Sequence, residues 1–165
     1  MATLGKTSNG TGQSSSSANK TVVSLFTADA NGVLASGAAR LWVDAGSASV
    51  QLVVYADSAG APGALLALSD SESISNTSET EIAFDFSGAD QIDIDNGTSY
   101  WLGFTWADPG TNAITWSRDA TASQAQQNSS NAADPFGSPT ALSGPIDVYV
   151  NHFPSTNKGG FFALF

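Results

Sequence analysis

Val50 to Leu68 constrains the fold of this chain more than any other stretch. It reads VQLVVYADSAGAPGALLAL, two apolar runs on either side of Asp57-Ser-Ala-Gly-Ala-Pro-Gly63. Gly reaches φ values that other residues avoid, Pro fixes φ, and an Asp side chain closes turns, so this cluster marks a chain reversal. The flanking runs read as strands. The segment therefore predicts antiparallel β-structure before any site chemistry is considered.

The same pattern recurs along the chain. Thr21–Thr27, Val33–Val43 and Val50–Ala56 read as strands, with turns at Asp29-Ala-Asn-Gly32 and Ala45-Gly-Ser47 and a bulge at Gly37. Thr80–Phe86 alternates cleanly: Ile82, Phe84 and Phe86 face one way, Glu81, Ala83 and Asp85 the other. Asn96-Gly97 is a turn signal, and Ser99–Trp106 is apolar on both faces, as a central strand would be. Ala113–Ser117 and Ile146–Phe153 complete the series, and the expected core includes Leu102, Phe104, Val148 and Val150. Many strands with no convincing long helix predict an all-β fold, an antiparallel β-sandwich or jelly roll. Asp119–Pro145 reads as a long polar connection with a helical turn near Ala122–Gln127.

Composition narrows the function classes. Apolar residues make up 41% of the 165, enough for a core, but charged residues only 12%, about half the usual share. Ser (24) and Thr (14) take their place. A net charge of −10 argues against nucleic acid and against anionic membranes as partners. The absence of Cys rules out disulfides and thiolate chemistry. The opening residues lack the apolar stretch of a secretory signal, and no run is long enough for a membrane helix, so synthesis and assembly in a cytoplasm are expected. The sequons at Asn76 and Asn96 then read as chance matches in a Ser/Thr-rich chain.

Reactive side chains are sparse. A single histidine, His152, stands without a second His or a GxSxG serine, and reads as an ordinary strand residue. Asp93 and Asp95 share a strand face, but nothing marks them as a glycosidase pair. Calcium could be held at Asp29-Ala-Asn31 or Asp93–Asn96, although turn capping by these side chains is the favoured reading, and no cofactor is expected. Of the tryptophans Trp42, Trp101, Trp106 and Trp116, Trp101 and Trp116 are the candidates for stacking on a sugar ring.

Several segments resemble small virion proteins of tailed bacteriophages. They are Leu4-Gly-Lys-Thr7 with its following Ser run, Val50-x-Leu-Val-Val-Tyr55-Ala-Asp-Ser-x-Gly-Ala-Pro-Gly63-Ala-Leu-Leu-Ala67, and Gly97-Thr-Ser-Tyr-Trp-Leu-Gly103. Asp134-Pro-Phe-Gly137 and Ser143-Gly-Pro-Ile-Asp147 add to the likeness, which spans roughly residues 4 to 150. It implies a non-enzymatic virion protein with no catalytic residues, of the head-decoration, tail or surface-binding type. The expected organisation is a flexible N-terminal arm (1–20), a β-sandwich (21–153) and a C-terminal apolar tail (154–165). The expected role is a capsid decoration or cement protein on the outer surface of the head, the expected partners being copies of itself in a trimer and the major capsid protein. Leu4, Phe161, Phe162, Leu164 and Phe165 are the expected assembly contacts. The alternatives are a tail or fibre protein binding a host surface glycan, and a carbohydrate-binding module.

Overall fold

Alternation of apolar and polar residues is realised as fourteen β-strands, and no α-helix occurs among the described residues. The computed structural model describes residues 1–17, 19–107, 113–120, 125–128, 131–142 and 144–154. In chain order the strands are β1 (Ala2–Gly5), β2 (Gly12–Ser16), β3 (Lys20–Thr27), β4 (Gly32–Val43), β5 (Ala48–Ser58), β6 (Ala61–Leu68) and β7 (Glu72–Ile74). They continue with β8 (Thr80–Asp85), β9 (Asp93–Ile94), β10 (Ser99–Ala107), β11 (Ile114–Arg118), β12 (Ala125–Asn128), β13 (Thr140–Leu142) and β14 (Val148–Phe153).

Two antiparallel sheets pack face to face, as the sandwich reading requires. The second sheet runs β13-β12-β3-β10-β5-β6, with β7 also on β5. In the first sheet β4 is the axis. Its long run lets β14 pair with residues 33–39 and β11 with 41–43 end to end along one side. On the other side β8 takes residues 36–41 and β9 residues 32–33. The outer edge beside β14 and β11 is closed by β1 and β2.

The core lies between the sheets. Val22 (β3), Leu52 and Val54 (β5), and Leu102, Phe104 and Trp106 (β10) come from one side, and Leu41 (β4), Phe84 (β8), Trp116 (β11), Val148 and Val150 (β14) from the other. The aromatic centre is Phe104, Trp106 and Trp116, each pair of rings 5.8 Å apart. All seven residues predicted from alternation join this cluster, Ile82 at its partly buried rim.

Four expectations change. Within the expected arm (1–20), β1 and β2 are instead edge strands of the first sheet, held by backbone pairing and by Leu4, which reaches the core. The reversal after β5 is tighter than Asp57–Gly63, with Ala59 and Gly60 alone at the tip, both at positive φ (54° and 85°). The bulge expected at Gly37 lies two residues earlier in the same strand, at Ala35, which is left unpaired with β14 between the pairs Leu34 with His152 and Ser36 with Asn151. Gly37 is small for another reason: a Cβ there would lie 2.6 Å from both Leu52 Cδ1 and the Tyr149 carbonyl oxygen. Finally, the Asp119–Pro145 connection contains β12, paired with β3 where a helical turn was predicted, and β13. The apolar tail, with Phe161, Phe162, Leu164 and Phe165, lies outside the described residues.

Phe84 is 1% exposed in the centre of this packing. Phe84→Ala should destabilise the protein by about 3–5 kcal/mol, read as a lower urea midpoint at unchanged slope.

Candidate functional site

The centre of the second sheet is buried on both faces. Its outer face carries Val23 (β3), Val53 and Tyr55 (β5) and Trp101 (β10), and Phe136 lies across them, its ring edge-on to Tyr55 at 5.0 Å. The covering segment is pinned by polar contacts. The Ala132 N–H donates to Thr21 Oγ1 (2.9 Å) and Thr105 Oγ1 (3.1 Å), Tyr55 Oη donates to the Ala133 carbonyl (3.0 Å), and the Phe136 N–H donates to Gly63 O (3.0 Å). Burial, with the Asp134 carboxylate adding to it, raises the Tyr55 phenol well above its usual range.

This geometry corrects the choice of sugar-stacking residues. Trp101 and Trp116 are each 2% exposed, so neither offers a ring face to a ligand. Trp101 sits under the cover and donates its indole N–H to Asp57 Oδ1 (2.9 Å), while Trp116 points into the core. Both follow from position: β10 is central in its sheet and β11 alternates Ile114 and Trp116 inward.

Leu4, expected as an assembly contact, is instead 2% exposed in the chain's own core. Next to it the arm carries an ionic latch. Asp147, just before β14, has a carboxylate with 1% of its side-chain surface exposed. Lys6 Nζ reaches its Oδ1 at 2.7 Å, and the Gly10 N–H donates to its Oδ2. Lys6 also donates to the Ser8 carbonyl (2.6 Å) and lies 3.3 Å from Asp119. Arg118 Nε donates to Ser14 Oγ, holding β2 to β11.

Few of the other sequence candidates come together. Asn31 Oδ1 accepts the Asn96 N–H (2.7 Å), joining two turns distant in sequence, and the Asp95 N–H donates to the Tyr100 hydroxyl (3.0 Å). Among the described residues no group of three or more His, Asp or Glu is placed to hold a metal. His152 is fully buried on β14, both ring nitrogens without a partner among the described residues. Burial pushes its imidazole below the ordinary value of 6.5; the Asp29 carboxylate opposes this and the N-terminal ammonium adds to it.

The broad surface that remains is the outer face of the first sheet. Thr3 (β1) donates to Asn151 Oδ1 (3.1 Å), and Asn151 (β14) donates to Ser36 Oγ on β4 (3.3 Å). Beside this row, Glu81 (β8) accepts from both Arg40 Nη2 on β4 (2.8 Å) and Tyr149 Oη on β14 (3.1 Å). Partial burial and Glu81 raise the Tyr149 phenol above its ordinary value, against the pull of Arg40. Trp42 lies on the same face two residues beyond Arg40 and is half-buried; the other three tryptophans are buried. The signal for Trp42 was in the sequence: Leu41 and Val43 point inward, so the residue between them points out. In comparisons with known proteins, no family model matches the chain, and no curated protein or solved structure matches it.

Two outcomes are expected. Lys6→Ala strands the Asp147 carboxylate and should cost roughly 1.5–3 kcal/mol; adding Asp147→Asn should recover part of that loss in a double-mutant cycle read by urea unfolding. Because the folded His152 pKa lies below the unfolded one, the unfolded chain binds more protons as pH drops. The contribution of His152 is fully present above about pH 6.5 and is lost as pH falls from there through the folded pKa. Melting temperatures measured across this window should fall for the native chain, and His152→Leu should flatten that part of the profile.

Proposed function

We propose that this chain is a non-enzymatic structural subunit of a virus particle, a decoration or cement protein on the outer surface of the head, present as a trimer beside the major capsid protein. The observation that carries the reading is the outer face of the first sheet. There Thr3, Asn151 and Ser36 form one hydrogen-bonded row, and Tyr149, Glu81 and Arg40 another, across β1, β14, β4 and β8. Four neighbouring strands span roughly 14 Å at the usual strand spacing. Donors and acceptors already fixed over such a width lose little side-chain freedom on meeting a flat protein surface, which favours a macromolecular partner. A disulfide-free sandwich whose N-terminal arm closes its own sheet edge suits a subunit that has to last outside a cell.

A second reading, a tail or fibre protein that binds a host surface glycan, is favoured by Trp42, the tryptophan left partly open on that same face. Copy number separates the two. Quantitative mass spectrometry of purified particles should find hundreds of copies per particle for the head role; a few copies would transfer the chain to the tail, and absence from particles would sink both readings. On the head reading, Trp42→Ala combined with Arg40→Ala should leave the melting transition nearly unchanged yet reduce binding to particles stripped of this subunit. Full binding by that variant would move the attachment surface elsewhere.

A further inference from the structure

A second polar feature lies at the lateral mouth of the sandwich. Lys20 (β3), Gln127 (β12), Thr140 (β13) and Ser138 line a cleft of about 220 Å³. Lys20 pairs across the strand with Trp106, and Gln127 with both Val22 and Thr140. Directly paired residues share a face, and Trp106 and Val22 belong to the core. Lys20, Gln127 and Thr140 therefore continue the inner face of the second sheet outward, where the row turns polar.

Among the described residues, none of the four side chains forms a hydrogen bond or ion pair. Lys20 differs in this from Lys6 and Arg40, each paired with a carboxylate in a chain of 15 acids against five bases. An ammonium with three donors, an amide that both donates and accepts, and two hydroxyls thus converge on one opening with their bonding capacity unused. The cleft is smaller than the roughly 300–1,000 Å³ of pockets for drug-sized ligands. One cation and a net charge of −10 do not suit a polyanion, which needs clustered bases.

We propose that this cleft binds a single acidic sugar unit of the uronic-acid type. Its carboxylate meets Lys20, and its ring hydroxyls exchange hydrogen bonds with Gln127, Ser138 and Thr140. The site is separate from the outer face of the first sheet, so it stands or falls independently of particle attachment.

The test is an NMR titration of the isotope-labelled full chain with glucuronic acid, glucose and inorganic phosphate in parallel. Glucuronic acid should give saturable shifts centred on Lys20, Gln127, Ser138 and Thr140, weakening with salt, and glucose should bind markedly less well. Lys20→Gln should weaken glucuronic acid binding roughly tenfold or more, the usual effect of losing a charge-assisted hydrogen bond. Gln127→Ala should weaken the sugar but leave phosphate unaffected, with unchanged melting temperatures for both variants. Absence of saturable shifts, equal binding of glucose, indifference to Lys20→Gln, or phosphate binding as tight as the sugar with no effect of Gln127→Ala would each overturn the proposal.

Discussion

The carboxylate of Asp147 is the point on which the parts of the first sheet depend. Its residue ties β14 to the neighbouring strands through the backbone: the Arg40 N–H donates to its carbonyl, and its own N–H donates to Ser117 O. Its side chain is buried, and a buried carboxylate is tolerated only when paired and hydrogen-bonded. Those partners, Lys6 and the Gly10 N–H, lie in the polar N-terminal stretch. The charge therefore recruits the arm, and with Leu4 and Lys6 in place β1 and β2 fall against β14 and β11 and cover the sheet edge. An exposed edge would be a template for pairing with other chains.

Central strand β10 imposes the complementary constraint. Leu102, Phe104 and Trp106 fill the space between the sheets, while Trp101 on the other face needs a cover of its own. The segment around Phe136 supplies it, held by Thr21, Thr105 and Tyr55. Three of the four tryptophans are thus consumed by packing. Among the described residues, the linked polar groups of the first sheet and the groups around Lys20 remain open to a partner.

How much of this was legible in the sequence follows from what holds each element. Thr80–Asp85, Ser99–Ala107 and Val148–Phe153 were readable because burial writes itself as period-two alternation. The N-terminal strands were not, since Gly12–Ser16 has no apolar signal and is held by backbone pairing and by Arg118 on Ser14. The stretch Ala125–Asn128 looked helical for the same reason: only pairing with β3 makes it a strand. Aromatic content alone could not rank the tryptophans, whereas the alternation Leu41-Trp42-Val43 could. The Lys20 cleft left no local trace, because Gln127, Ser138 and Thr140 are brought to Lys20 by strand pairing more than a hundred positions along the chain.

The cover over Trp101 also gives the molecule a sense of direction. A bare sandwich has two comparable flat sides, and a partner that recognises one can mistake the other for it. Here Phe136 and its neighbours lie across the centre of one side, so the two sides differ. Copies that settle on a common support by a sheet face all point the same way, and the Ala59–Gly60 tip and the Lys20 mouth then recur at one fixed height and bearing in every copy.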